Sequence, residues 1–266
     1  MTNFIFQSPD VIFAHLPKTG GTSVREALGN NIKQRCFGHI PREFSDLLCF
    51  AIIREPKARF LSAFRMFKYG NLLKGDYYAE PRWPDLTISD ILNVLDDPWT
   101  GYDRSQRNLR WNLKHHTIPQ THPFNCLKHA DRLLRFETLA DDFESLCTEL
   151  NVSLQLPKLR ESNNKNEHAA EWSETDNERF QAIFAEDYEA LGYIQGKFAK
   201  KDSPLCLKAD DAAKPCSTVF DFWPSYFSDR KILLDAAEHA LPLPTVQLQP
   251  FLDEVIPGRP TESWAG

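Results

Sequence analysis

Two short apolar runs, each followed directly by a helical pattern, constrain the fold of this chain more than any other feature. Residues 10–16 (DVIFAHL) and 47–54 (LLCFAIIR) have the β-branched and aromatic content of buried strands. Helical patterns follow at 22–28 and 56–69. Because successive strand–loop–helix units are typical of parallel sheets covered by helices, the sequence predicts an α/β fold with a central parallel sheet flanked by helices.

Further elements extend this pattern along the chain. A third strand is predicted at 131–136, and helices are predicted at 88–96, 138–150 and 175–191. The apolar stretch at the N-terminus is interpreted as a strand that feeds a loop. After residue 196 prolines accumulate, which indicates an irregular extension with one helix near 229–240.

Charge is distributed unevenly along the chain. The total is −6, yet residues 15–70 contain ten basic and four acidic side chains, a local net charge of +6. A positive region within an acidic protein indicates a local anionic ligand. No basic stripe with interleaved aromatic residues is present, so we expect no nucleic-acid partner.

The chain contains no apolar run of about 18 residues, so we expect no transmembrane segment. The N-terminus has neither a basic start nor a small-residue cleavage site, so we expect a cytoplasmic protein. Six cysteines are scattered without a CxxC pair, which favours reduced thiols and gives no spacing for zinc. A single bridge between Cys206 and Cys216 stays open.

A glycine-rich turn, LPKTGGTS at residues 16–23, connects the first strand to its helix. Backbone N–H groups and the helix dipole hold anions at such a junction, and glycine lets the backbone approach phosphate oxygens closely. A lysine adds a mobile positive charge, and hydroxyls add donors on the same side. The candidate anion ligands are Lys18, Thr19, Gly20, Gly21, Thr22 and Ser23.

A second candidate phosphate site follows the next strand, in AIIREPKARFLSAF at residues 51–64. Arg54 ends the strand, so its guanidinium is expected at the carboxyl edge of the sheet, where ligands bind in α/β folds. Ser62 lies eight residues later in the following helix. An arginine fork and a hydroxyl suit a terminal phosphate.

Both motifs resemble those of sulfotransferases that use 3'-phosphoadenosine 5'-phosphosulfate (PAPS), in particular the carbohydrate (Golgi-type, uronyl-like) branch. VIFAHLPKTGGTS is similar to the family's 5'-phosphosulfate loop, and R-x-P-x-x-R-x-x-S is similar to its 3'-phosphate segment. The resemblance implies a P-loop-like three-layer fold and no metal. It also implies that Lys18 stabilises the leaving 3',5'-ADP and that Arg54 and Ser62 bind the 3'-phosphate. Glu55 stands where the family usually has Asp.

Transfer to a hydroxyl needs a base. His39, in CFGHIP at residues 36–41, resembles the position of the catalytic histidine in uronyl-type enzymes, and an ordinary histidine pKa near 6.5 suits this task. The alternatives are His15, His115, His116 and Glu80.

Later segments extend the resemblance over about residues 10–195. They are H-x-x-P-Q at 116–120, R-[FY]-E-x-L at 135–139 and D-[FY] with G-Y at 187–193. We therefore expect a sulfotransferase domain at 1–196 and an extension of unknown role at 197–266, packed on the same domain.

The leading hypothesis is direct in-line transfer of the sulfuryl group from PAPS to a hydroxyl on a glycan or glycolipid. One alternative is a P-loop kinase, which the missing GK[ST] dipeptide disfavours, because here the lysine precedes the glycines. The other alternative is a protein that binds PAPS or 3',5'-ADP without catalysis.

Overall fold

The fold was examined in a computed structural model, which describes residues 2–37, 40, 44, 46–70, 80–96, 109–122, 125–157, 170–194 and 197–198. Its strands are β1 (Thr2–Gln7), β2 (Asp10–Ala14), β3 (Ile32–Phe37), β4 (Leu48–Ile53), β5 (Arg132–Arg135), β6 (Tyr193–Ile194) and β7 (Lys197–Phe198). Its α-helices are α1 (Gly21–Leu28), α2 (Pro56–Tyr69), α3 (Ile88–Asp96), α4 (Leu109–Thr117), α5 (Leu139–Glu149) and α6 (Glu174–Leu191).

Five strands form the main sheet, in the order β3-β1-β2-β4-β5. β2 pairs with β4 and β4 with β5 in parallel, whereas β1 pairs antiparallel with both β2 and β3. The α/β class is therefore confirmed, but the prediction of a parallel sheet is wrong for β1. The other four strands, including β3, all run in one direction.

The expectation of a strand in the N-terminal apolar stretch agrees with β1, and its antiparallel direction has a physical reason. Only Ser8 and Pro9 separate β1 from β2, and a link this short reverses the chain, whereas a parallel crossover needs a dozen residues or more. β3 was missed because its sequence, IKQRCF, carries the polar and charged residues of an edge strand.

The helices predicted at 22–28, 56–69, 88–96, 138–150 and 175–191 agree with the structure to within one residue at each end, and α2 and α3 match fully; the helix predicted near 229–240 lies outside the described residues. The predicted strands at 10–16, 47–54 and 131–136 correspond to β2, β4 and β5 with one or two residues fewer at an end. Helix α4 was not predicted, since LRWNLKHHT is rich in basic side chains and lacks a clear apolar face.

The core lies on both faces of the sheet. On one face, side chains of α1 and α5 pack around Phe13 and Phe50, whose rings stack with centroids 4.8 Å apart. Ile5, Ile12 and Ile53, at alternate strand positions, are equally buried. Because alternate residues of a strand point to opposite faces, helices cover the sheet on both sides. A second apolar cluster joins α2, α3, α4 and α6.

Across the described part of the chain, no helix is both long and apolar enough to cross a bilayer. The four cysteines described there, Cys36, Cys49, Cys126 and Cys147, are free thiols. β6 pairs with β7 across the predicted domain boundary after residue 196. The domain division stays a prediction, because residues 199–266, including Cys206 and Cys216, lie outside the described residues.

The stacked pair at the sheet centre predicts a large stability effect. Phe50→Ala removes a fully buried ring and leaves a cavity beside Phe13, so we expect the free energy of unfolding to fall by about 3–5 kcal/mol. Urea unfolding followed by circular dichroism measures this. The control is Ile194→Ala, which removes a side chain that is 62% exposed and should change stability by less than about 0.5 kcal/mol. Equal effects of the two substitutions would contradict the described core.

Candidate functional site

Four strands end at the same edge of the sheet. β2, β4 and β5 run in parallel and end at Ala14, Ile53 and Arg135, and β3 runs in the same direction and ends at Phe37. The glycine-rich turn and Arg54 follow β2 and β4 directly. The segments predicted to bind phosphate therefore emerge side by side.

The turn after β2 is closed by its own residues. Lys18 and Gly20 adopt left-handed backbone conformations, with φ of 68° and 82°. The buried Thr19 hydroxyl donates a hydrogen bond of 2.9 Å to the Leu16 carbonyl. Because that hydroxyl is used within the turn, Thr19 can offer an anion its backbone N–H but not its side chain.

Helix α1 begins at Gly21 against a tightly packed ring. A Cβ atom at Gly21 would collide with the His15 imidazole and would lie 3.1 Å from the Phe13 ring. The first turn of α1 contains no acidic residue, and Gly20 provides no side-chain cap. The positive end of the helix dipole is thus not neutralised by a carboxylate of this helix, which favours an anion there. Thr22 is exposed at this end, whereas Ser23 is buried.

The Arg54 side chain joins the two segments. Its Nη1 donates a hydrogen bond of 3.1 Å to the Lys18 carbonyl, and its guanidinium carbon lies 4.1 Å from the centroid of the Phe136 ring. Burial lowers the pKa of Arg54, and the carboxylates of Glu137 and Glu55 oppose this shift. The guanidinium is therefore oriented by an aromatic plane and by the backbone of the turn.

Glu55 caps helix α2. Its carboxylate accepts hydrogen bonds from the backbone N–H groups of Lys57 (3.2 Å) and Ala58 (2.5 Å). Glu55, which stands where the family usually has Asp, therefore caps the helix as an aspartate can. The two helices differ in this respect: the α2 N-terminus already has an acidic partner, so an anion beside α2 would depend on side chains such as Arg54 and Ser62.

The Lys18 side chain extends toward α2. Its Nζ donates a hydrogen bond of 3.3 Å to the sulfur of Met66. Met66 follows Ser62 by four residues, so the two share one face of the helix. A thioether is a weak acceptor, which leaves the lysine amine able to move to a stronger one.

Three of the alternative histidines surround the turn. Burial, followed by the charge of Arg25, lowers the pKa of His15 to about 3. Burial also lowers the pKa of His115 well below its usual value. Burial is also the largest cause of the lowered pKa of His116, which is about 3. The hydrogen bond to the Asn112 carbonyl opposes this shift, and the charge of Lys18 adds to it. All three rings are therefore neutral near pH 7.

His116 has a defined orientation among these rings. Its Nδ1 lies 2.7 Å from the Asn112 carbonyl, which assigns the ring proton to Nδ1 and leaves Nε2 as an acceptor. Its ring meets Phe67 edge-on at 5.5 Å. Because Lys18 affects its pKa, His116 lies within electrostatic reach of the lysine. The other alternative, Glu80, is exposed. The first choice, His39, lies outside the described residues, two positions after β3 ends.

Sequence reasoning assigned no role to Arg59. It is fully buried and donates hydrogen bonds to three carbonyls, those of Pro17 (3.1 Å), Ile118 (2.8 Å) and His116 (3.3 Å). The side chain therefore ties the turn after β2 to the end of α4. The sequence feature that could have identified it is its position as the second arginine of the R-x-P-x-x-R-x-x-S pattern.

The later sequence motifs also meet near Arg54. The Glu137 carboxylate accepts hydrogen bonds from the Glu55 backbone N–H (2.8 Å) and the Tyr193 hydroxyl (2.9 Å). The Tyr188 hydroxyl donates to Glu55 at 2.7 Å. Residues from α6 and from the end of β5 thus support the segment that begins α2.

Within the described ranges, no group of three or more histidine, cysteine, aspartate or glutamate residues has the arrangement of a metal site. At the sheet edge, Lys18, Arg54 and the backbone N–H groups of the turn suit an anion, while the carboxylates of Glu55 and Glu137 accept hydrogen bonds from backbone N–H groups and tyrosine hydroxyls.

A model of a known protein family matches the chain over this whole arrangement. The model described as "Sulfotransferase family" matches residues 2–194, which include every strand of the main sheet, the turn after β2 and Arg54. Searches of curated proteins and of solved structures each gave no significant match. The family match covers well over half of the 266 residues. The chain is therefore a member of the sulfotransferase family, a family of transferase enzymes.

Proposed function

We propose that this enzyme transfers the sulfuryl group of PAPS to a hydroxyl of a carbohydrate, on a glycan or a glycolipid, by direct in-line transfer. The observation that carries the proposal is the hydrogen bond between the Arg54 guanidinium and the Lys18 carbonyl. It brings the two segments that resemble the family's phosphate-binding motifs to one edge of the sheet. A single nucleotide with phosphates at both ends can then contact both.

The 5'-phosphosulfate end is assigned to the turn at 18–23. The start of α1 offers backbone N–H groups with no acidic residue in its first turn, and Gly21 has no room for a side chain. Lys18 leaves the weak Met66 acceptor and stabilises the negative charge that develops on the leaving nucleotide. A cation beside the leaving group lowers the barrier because it offsets the negative charge that develops there during transfer.

The 3'-phosphate is assigned to Arg54 and Ser62. Glu55 already caps the N-terminus of α2, so the Arg54 guanidinium would be the positively charged partner of the 3'-phosphate. The Phe136 ring below that guanidinium restricts its movement and keeps its N–H groups directed along the sheet edge.

The base is assigned to His39. Strand β3 ends at Phe37, at the edge where β2 and β4 also end, and His39 follows two residues later. His116 is the alternative, because its ring is neutral near pH 7 and its Nε2 is an acceptor; burial and the charge of Lys18, which lower its pKa to about 3, make it the weaker base. The carbohydrate acceptor is proposed from the resemblance of the motifs to the uronyl-like branch. The cytoplasmic location is proposed from the sequence alone.

Binding of 3',5'-ADP without magnesium tests the nucleotide assignment. Calorimetry should show that Lys18→Ala and Arg54→Ala each weaken binding about tenfold to a hundredfold, the range expected for losing a hydrogen bond to a charged group. Arg132→Ala is the matched control, because Arg132 begins β5 at the opposite edge and pairs with Glu149 on the surface. Wild-type affinity in both site variants would refute the assignment.

Transfer of labelled sulfate from PAPS to a panel of glycans tests the base. His39→Ala should lower kcat by about 10²–10⁴-fold while 3',5'-ADP still binds, since a base acts on the acceptor and not on the nucleotide. His129, which precedes β5 at the opposite edge, provides the control substitution His129→Ala. If His116→Ala abolishes turnover and His39→Ala does not, the base is His116.

A further inference from the structure

We propose that Gln120 is a positioning residue for Arg54, and that the segment 116–121 acts as a strut that holds both phosphate-binding segments in place. The inference rests on the proposed function for the identity of the ligand. It assigns a role to residues that do not themselves contact the nucleotide.

The Gln120 side chain forms hydrogen bonds with both backbone groups of Arg54, the N–H and the carbonyl. Its Oε1 accepts a hydrogen bond of 2.9 Å from the Arg54 N–H, and its Nε2 donates one of 2.8 Å to the Arg54 carbonyl. The pairing of β4 with β5 ends one residue earlier, at Ile53 and Arg135. The fully buried amide therefore continues the hydrogen-bonding pattern of the sheet by one residue and fixes the direction in which the guanidinium leaves the strand.

Only an amide side chain suits this position. Holding both backbone groups of Arg54 requires one donor and one acceptor at the end of a side chain of this length. A glutamate would provide two acceptors and would face the Arg54 carbonyl without a proton. A buried polar group that loses its partner costs about 1–3 kcal/mol, so the choice of residue matters for the local backbone.

Gln120 is itself held by a buried carboxylate on α6. Asp187 accepts hydrogen bonds from the backbone N–H groups of Gln120 and Thr121, both at 2.8 Å, and from the Thr121 hydroxyl at 2.9 Å. On the other side, Asn125 donates to the carbonyls of Pro119 (2.7 Å) and Gln120 (3.2 Å). Hydrogen bonds between the side chains of Asp187 and Asn125 and the backbone of the segment thus hold it from two sides.

The opposite end of the segment is tied to the turn after β2. Arg59 donates to the carbonyls of His116 and Ile118 and also to that of Pro17, the residue before Lys18. The strut therefore contacts one phosphate-binding segment through Arg59 and the other through Gln120. When both phosphate-binding segments are fixed before the ligand binds, less conformational entropy is lost on binding, which is the general benefit of preorganisation.

The test compares two nucleotides, because Gln120 contacts the Arg54 segment directly and its loss should therefore weaken binding of the 3'-phosphate most. Gln120→Met keeps the side-chain length and removes both hydrogen bonds to Arg54, together with the longer one of 3.5 Å from Nε2 to Asp187. We expect it to weaken 3',5'-ADP binding about tenfold in calorimetry and to change 5'-AMP binding less than about twofold, since 5'-AMP has no 3'-phosphate. In the Arg54→Ala background the same substitution should have no further effect on 3',5'-ADP. Arg132→Ala is the control.

The outcomes separate the inference from the function on which it rests. A wild-type protein that does not prefer 3',5'-ADP over 5'-AMP overturns the proposed function, and the inference with it. A wild type with that preference, together with a folded Gln120→Met variant that keeps it or that loses both nucleotides equally, overturns the positioning role alone. If Gln120→Met does not fold, Gln120→Glu takes its place: it keeps an acceptor for the Arg54 N–H but removes the donor to the Arg54 carbonyl, and the same criteria apply.

Discussion

The hydrogen bond from the Arg54 guanidinium to the Lys18 carbonyl is the contact on which the rest of the site depends. Lys18 has a left-handed backbone, so its carbonyl is oriented by the turn itself. Parallel strands that end at one edge bring two loops together, but they do not fix the distance between the loops. A side chain from one loop bound to the backbone of the other does fix it.

Much of the polar structure of the described chain serves this contact. Gln120 holds the Arg54 backbone, Phe136 lies below its guanidinium, and Glu137 binds the N–H of the next residue. Asp187 in turn holds the segment that carries Gln120. These residues come from three separated parts of the sequence. The later sequence motifs, at 116–120, 135–139 and 187–193, together form one hydrogen-bonded network.

The electrostatics of the region follow from burial. The pKa values of His15 and His116 are lowered to about 3, so both rings are neutral near pH 7 and the positive charge around the turn comes from lysine and arginine. Arg59 is fully buried, and burial lowers its pKa to about 10, while the Asp187 carboxylate opposes the shift. Its charge is therefore retained, and it lies behind the turn that is proposed to receive the 5'-phosphosulfate.

The sequence by itself determined the α/β class, β2, β4, most helices and the position of the glycine-rich turn, because apolar periodicity and glycine placement are local signals. It also indicated that Arg54 ends a strand. Only the tertiary structure decided that β1 also pairs with β3, that Arg59 is buried, and that Gln120 holds the backbone of Arg54, 66 residues away in the chain. Those features depend on contacts between distant segments, and the free energy of such contacts comes from packing and hydrogen-bond geometry that no local pattern encodes.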